Sequence, residues 1–149
     1  MTPTIHEQQT QCAHIYDAWH ERARAGDVEG LLALYASDAT LETPLIPVIL
    51  DDTERGVLHG HAELRRFFAE GTRRRPNDLV RWYRTGTALC DGRTLFWEYP
   101  REMPDGEQVD IAEVMEIEDG LIVSHRIYWG WFGFAMLQYS RDAKRGNTA

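Results

Sequence analysis

From Ile111 to Trp129 the sequence reads IAEVMEIEDGLIVSHRIYW. Residues 111–117 read as one alternating run and residues 121–129 as another, with Glu118-Asp119-Gly120 between them. That pattern predicts a strand, a short glycine-containing turn and a second strand. A period of two places Ile111, Glu113, Met115 and Ile117 on one face. In the second strand Leu121, Val123, His125, Ile127 and Trp129 share a face, with Ser124 and Arg126 on the other. The apolar residues mark the buried side. Each apolar row carries one ionisable intruder, Glu113 in the first and His125 in the second. If Ile117 sits opposite Leu121, an antiparallel ladder sets Glu113 directly opposite His125.

Working outward, the segment before this hairpin is β-rich. Strands are expected near 79–89, 93–102, 108–117 and 121–131, with turns at Asp91-Gly92 and Asp105-Gly106. Tyr83, Trp97 and Tyr99 read first as strand aromatics. Helices precede the strands. Ile5, Gln8, Cys12, Ile15, Trp19 and Ala23 recur at spacings of three and four, which predicts a helix over 5–25 ended by Gly26. His14 and His20 fall on its polar side. Asp27 suits the N-cap of a second helix carrying Val28, Leu31, Leu32, Leu34 and Tyr35. Residues 39–43 form a short strand stopped by Pro44, and residues 45–58 read as a long loop. His61 to Glu70 form a third, short helix and residues 71–77 a turn. Helices first and a meander afterwards give an α+β class: a cone-shaped, curved antiparallel sheet wrapped on an N-terminal helical hairpin plus the third helix. One domain over 1–138 is expected, with 139–149 as a frayed tail.

Composition narrows the function classes. The chain has 149 residues, 43% of them hydrophobic and 27% charged, enough for one domain with a core. The net charge of −8 disfavours nucleic acid and anionic membranes as partners. No apolar run approaches the ~20 residues of a membrane span. The N-terminus lacks a signal-peptide pattern, so a cytoplasmic protein is expected. Cys12 and Cys90 lie in unrelated segments, and a reduced thiol pair is the expectation. Arg73-Arg74-Arg75 reads as a solvated loop. The sequence has no phosphate loop, dinucleotide fingerprint or metal motif, so no cofactor and no metal are expected.

The stretch from Arg24 to Pro44 (RAGDVEGLLALYASDATLETP) resembles the helical hairpin and first strand of the nuclear transport factor 2-like superfamily, in its SnoaL-like branch. Gly60-His61-Ala62-Glu63-Leu64 is similar to the start of that family's third helix, and Glu116 to Ile122 to its last hairpin. The resemblance spans about residues 10–132. It implies a cone with an apolar pocket, and often a homodimer through the outer sheet face. Related proteins include ketosteroid isomerases, epoxide hydrolases, polyketide cyclases, dehydratases and proteins that only bind partners, so fold does not settle activity.

Carried over residue by residue, the resemblance selects among these chemistries. The place of the ketosteroid isomerase base holds Thr43, and the place of its first-helix tyrosine holds Trp19. Its second oxyanion donor falls at Glu113. The arginine of the epoxide hydrolases is replaced by Ile111. The acidic pocket catalyst of SnoaL-type cyclases is the closest analogue of Glu113.

Glu113 and His125 are therefore the candidate acid–base pair, with Tyr16, Trp19, Leu41, Thr43, Met115, Ile127 and Trp129 as candidate pocket-lining residues. Burial favours a neutral carboxyl and a neutral imidazole, while pairing as ions favours the reverse. Either arrangement suits isomerase, cyclase or dehydratase chemistry on an apolar, ring-shaped substrate. The alternatives are a pair that only orients a ligand, a satisfied structural pair, or a binding and dimerisation module without catalysis.

Overall fold

The computed structural model describes residues 1–74, 87–99 and 108–146. Helix α1 (Ile5–Ala25) starts at a capping box in which Thr4 and Glu7 satisfy each other's backbone N–H groups. It ends at Gly26, whose left-handed φ of 69° suits a residue without a Cβ. Asp27 caps α2 (Val28–Leu32) by accepting from the Gly30 N–H. The second helix is shorter than its apolar content predicts. Leu34 and Tyr35 leave it because the Leu34 carbonyl accepts from the Ile122 N–H, drawing the chain into the sheet.

Strand β1 (Tyr35–Glu42) follows, then a single turn α3 (Ile46–Ile49), β2 (Val57–His59) and α4 (Gly60–Arg73). The expected long loop is thus partly structured, and its Ile46, Ile49 and Leu50 are buried. Helix α4 runs through residues read as a turn, and Arg73 and Arg74 at its end pair with Glu70 rather than standing free. Strands β3 (Ala88–Cys90), β4 (Thr94–Glu98), β5 (Ile111–Glu118) and β6 (Leu121–Trp129) complete the sheet. The parts of the expected strands over 79–86 and 100–102, with Tyr83 and the Asp105-Gly106 turn, lie outside the described residues.

The sheet order is β2-β1-β6-β5-β4-β3. It is not wholly antiparallel: β1 runs parallel to β6, with Leu41 beside His125. The fold is α+β, a curved, unclosed mixed sheet whose inner side is covered by α1, α2 and α4.

The β5–β6 hairpin departs from the expected register. Asp119 and Gly120 both have positive φ, 50° and 78°, so the turn is a two-residue one with Glu118 opposite Leu121. Continued without a break, that register would turn Ser124 and Arg126 inward. A β-bulge between Glu116 and Ile117 inserts Val123 and restores the apolar row. Ile122 is consequently buried and Leu121 exposed, the reverse of the sequence expectation. Beyond the bulge, Met115 faces His125 and Glu113 faces Ile127.

Two further expectations change. Residues 131–146 form helix α5 (Trp131–Gly146), so Trp131 opens a helix instead of ending the last strand, with Phe132 and Phe134 in its first turn. Residues 139–146 are helical rather than frayed; Leu137 anchors the helix, while Arg141, Lys144 and Arg145 pair with Glu54 and Asp51. Cys12 and Cys90 form a disulfide, with Cα atoms 6.4 Å apart, and not a reduced pair. It ties the buried face of α1 to the sheet edge across a sequence separation of 78 residues.

Candidate functional site

The inner face of β5 carries Glu113 between Ile111 and Met115, and the inner face of β6 carries His125 between the bulge and Ile127. Because of the bulge the two are diagonal neighbours, not directly opposite. A glutamate side chain spans that diagonal. Glu113 Oε2 and His125 Nε2 are 2.8 Å apart, with side chains only 3% and 1% exposed.

The pair belongs to a longer buried row. The Tyr99 hydroxyl donates to Glu113 Oε1 at 2.7 Å. On the other side Tyr35 Oη lies 2.8 Å from His125 Nδ1. The Trp19 indole N–H donates to Tyr35 Oη at 3.0 Å. Five side chains from α1, β1, β6, β5 and the end of β4 thus meet through hydrogen bonds inside the core. Tyr99 is placed by the ladder itself, since its N–H donates to the Ile111 carbonyl. Tyr35 is fixed from behind by His61, whose Nε2–H donates to the Tyr35 carbonyl at 2.9 Å.

A cavity of about 90 Å³ opens over this row. Glu113, His125 and Tyr99 stand at its polar end, while Leu31, Leu45, Ile49, Phe67 and Phe68 contribute apolar wall. Half-buried Gly71 and Thr72 of α4 lie at its edge. The volume is below the ~150 Å³ of an apolar cavity that holds one benzene, so a ring enters fully only if the wall yields.

Of the residues picked from sequence, Glu113, His125, Trp19, Leu41, Ile127 and Trp129 line this cavity. Tyr16, Thr43 and Met115 do not. Tyr16 stands behind the wall, edge-on to Trp97 at 5.3 Å. Thr43 Oγ1 accepts from the Trp129 indole N–H at 3.2 Å and so orients that wall. Met115 is fully buried beside His125. Tyr35 and Tyr99, the hydroxyl groups bonded to the pair, were not singled out. For Tyr35 the sequence carries no usable signal, because its contact with His125 spans 90 residues.

His20 is the largest departure. It is 1% exposed, not on a polar helix face. Its Nδ1–H donates to the Tyr16 carbonyl at 2.8 Å, and its Nε2 has no hydrogen-bond partner among the described residues. The rings of Tyr16, Trp97 and Trp19 surround it at 4.5, 5.2 and 5.2 Å. Burial pushes the His20 imidazole below its usual value, opposed by the bond to Tyr16 and by the charge of Glu113. Its place four residues after Tyr16 on α1 was the available clue.

The model of the SnoaL-like domain matches residues 14–125. The chain belongs to the SnoaL-like family. No curated protein matches its sequence. Among solved structures, a SnoaL-like protein of unknown function from Burkholderia thailandensis is 18% identical with a TM-score of 0.61, covering 82% of this chain and 96% of its own. The epoxide hydrolase/cyclase-like enzyme SalBIII, with a role in pyran ring formation in the polyether salinomycin, is 20% identical with a TM-score of 0.54 over 83% and 93%. A putative ketosteroid isomerase from Kribbella flavida is 20% identical with a TM-score of 0.58 over 81% and 78%. At these identities the likeness speaks for the SnoaL-like fold alone. Among the described residues no helix of this member is long and apolar enough to cross a membrane.

Proposed function

We propose that this SnoaL-like protein is an enzyme of the isomerase, cyclase or lyase class, acting by general acid–base catalysis on an uncharged, largely apolar ring compound. One observation carries the reading: a hydrogen-bonded carboxyl–imidazole pair is buried in the core and both members line a largely apolar cavity. A pair serving structure alone has no need to border an opening. The reaction begins with removal of a proton from carbon next to a carbonyl. The C–H electron pair becomes a carbon–carbon double bond as the carbonyl π pair moves onto oxygen, and the resulting enolate takes a proton at another carbon or expels a leaving group. A positioned acid–base group is worth about 10²–10⁴ in rate. The similarity to the epoxide hydrolase/cyclase-like enzyme SalBIII and to a putative ketosteroid isomerase supports this class.

A thermal-shift panel of neutral ring carbonyl compounds identifies a ligand, since binding to the folded state alone raises its stability. Turnover of the best ligand is then compared between the wild type and Glu113→Gln. The amide keeps the shape of the group but cannot take up a proton in the same way. We expect kcat to fall by about 10²–10⁴ with an unchanged far-UV spectrum; full activity in the variant would remove the assignment.

A second reading, a binding or homodimerising module, draws on exposed aromatics at Tyr128 (55%), Trp131 (82%) and Tyr139 (77%). It expects ligand binding or self-association to survive loss of either Glu113 or His125.

A further inference from the structure

The buried row has a direction, and the direction assigns the roles within the pair. An indole N–H donates and never accepts. Trp19 therefore places a hydrogen on the Tyr35 oxygen, over 3.0 Å. A hydroxyl that accepts one hydrogen bond is polarised to donate the next. Its neighbour at 2.8 Å is His125 Nδ1. If Tyr35 donates there, Nδ1 is the bare nitrogen and the neutral ring carries its hydrogen on Nε2. That hydrogen points at Glu113 Oε2, 2.8 Å away. From the opposite end the Tyr99 hydroxyl donates to Glu113 Oε1 at 2.7 Å.

We infer that Trp19 and Tyr35 polarise the row toward Glu113, so that Glu113 is the carboxylate base, His125 is its neutral Nε2–H donor, and Tyr35 is the positioning residue that sets this arrangement. Every donor bond then ends on Glu113. Its two oxygens each accept one hydrogen bond, and a carboxylate has lone pairs left over for a substrate proton. The reverse polarity, with a hydrogen on Nδ1, requires the Tyr35 oxygen to accept twice, from Trp19 and from His125, whether Glu113 is protonated or faces a doubly protonated ring. The forward polarity places one hydrogen in each link of the row. The assignment rests on the acid–base reading of the site for its catalytic meaning. The polarity itself is a property of the free protein.

The test is long-range 1H–15N correlation spectroscopy of the histidine rings in uniformly 15N-labelled, ligand-free protein at neutral pH. His125 is assigned by the signals missing from His125→Gln. The expected wild-type spectrum has His125 Nδ1 as an unprotonated, hydrogen-bonded nitrogen and Nε2 as a protonated one. Protonation of Nδ1, alone or together with Nε2, overturns the polarity. In Tyr35→Phe, the Nδ1 resonance should move downfield, toward that of an unbonded ring nitrogen, while Nε2 stays protonated. An unmoved Nδ1 overturns the role of Tyr35. Trp19→Phe, which removes the donor to Tyr35, should move Nδ1 in the same sense by less. It keeps the test alive if Tyr35→Phe does not fold; an unmoved Nδ1 there overturns the polarising role of Trp19.

Once a substrate is in hand, Tyr35→Phe is expected to lower kcat at least tenfold with KM within about twofold, because Tyr35 does not itself line the cavity and the phenyl ring keeps its packing on Phe68. A change confined to KM counts against the positioning role. Full turnover in Glu113→Gln, with the expected wild-type ring signals intact, would instead strike the acid–base reading and leave the polarity standing.

Discussion

Two polar networks in this molecule look alike on paper and differ in surroundings. One is the buried row from Trp19 to Tyr99, centred on a Glu113–His125 pair that is almost wholly inaccessible. The other clamps the segment between α3 and β2: Asp51 with Lys144, Asp52 with Arg66, and Glu54 with both Arg141 and Arg145. The second has more ion pairs. Yet Glu54 is 64% and Arg145 54% exposed, so water and salt screen their attraction. The first has a single carboxylate–imidazole pair, but its members have almost no access to water that could replace a lost bond. Burial, not the number of pairs, decides which network the fold depends on.

Removing one member of each network tests that contrast most sharply. His125→Ala strands Glu113 without its partner in the core, and is expected to cost about 3–5 kcal/mol in urea unfolding. A loss under ~1 kcal/mol would mean that water reaches the pair. The buried row also leans on α1, which supplies Trp19 and is tied to the sheet edge by Cys12–Cys90. Reduction should lower stability by about 2–4 kcal/mol, read as a drop in Tm with dithiothreitol. A Cys12→Ala/Cys90→Ala double variant should no longer respond to the reductant.

His20 sharpens the comparison by pH. Its folded value is depressed by burial. Below the ordinary histidine value of about 6.5, the unfolded chain takes up a proton that folded His20 resists. This contribution to stability is present above that pH and is lost as pH falls toward the folded value. Tm should therefore decline between pH 7.5 and 5.5, and His20→Phe should decline less steeply. Equal slopes would show that His20 is hydrated. The smallest effect belongs to the surface clamp. Glu54→Ala is expected to change stability by no more than about 1 kcal/mol, and less in high salt.

The inward facing of Glu113 was legible because alternation on β5 is unbroken from Ile111 to Glu118. His125 was also placed inward, but through a register that does not occur. A straight hairpin was assumed, and the bulge at Val123 compensated for the tighter turn. Helix α1 was readable from its cap, stripe and terminal glycine. Helix α5 was not, because its aromatic start continues the composition of β6. Tyr35, Tyr99 and the Cys12–Cys90 bond depend on which distant elements become neighbours, and local periodicity carries no record of that. His20 was misjudged because a histidine beside an apolar stripe reads as exposed. Here the aromatic wall of Tyr16, Trp19 and Trp97 widens the buried face of α1 to include it.

The acid–base role of Glu113 is tested most directly by deuterium incorporation from D2O at the carbon next to the carbonyl of a cyclic ketone that the protein binds. Wild-type protein should catalyse the exchange, and Glu113→Gln should slow it by at least about a hundredfold while binding the ketone and keeping its fold. Equal exchange by the two proteins would contradict the assignment of Glu113.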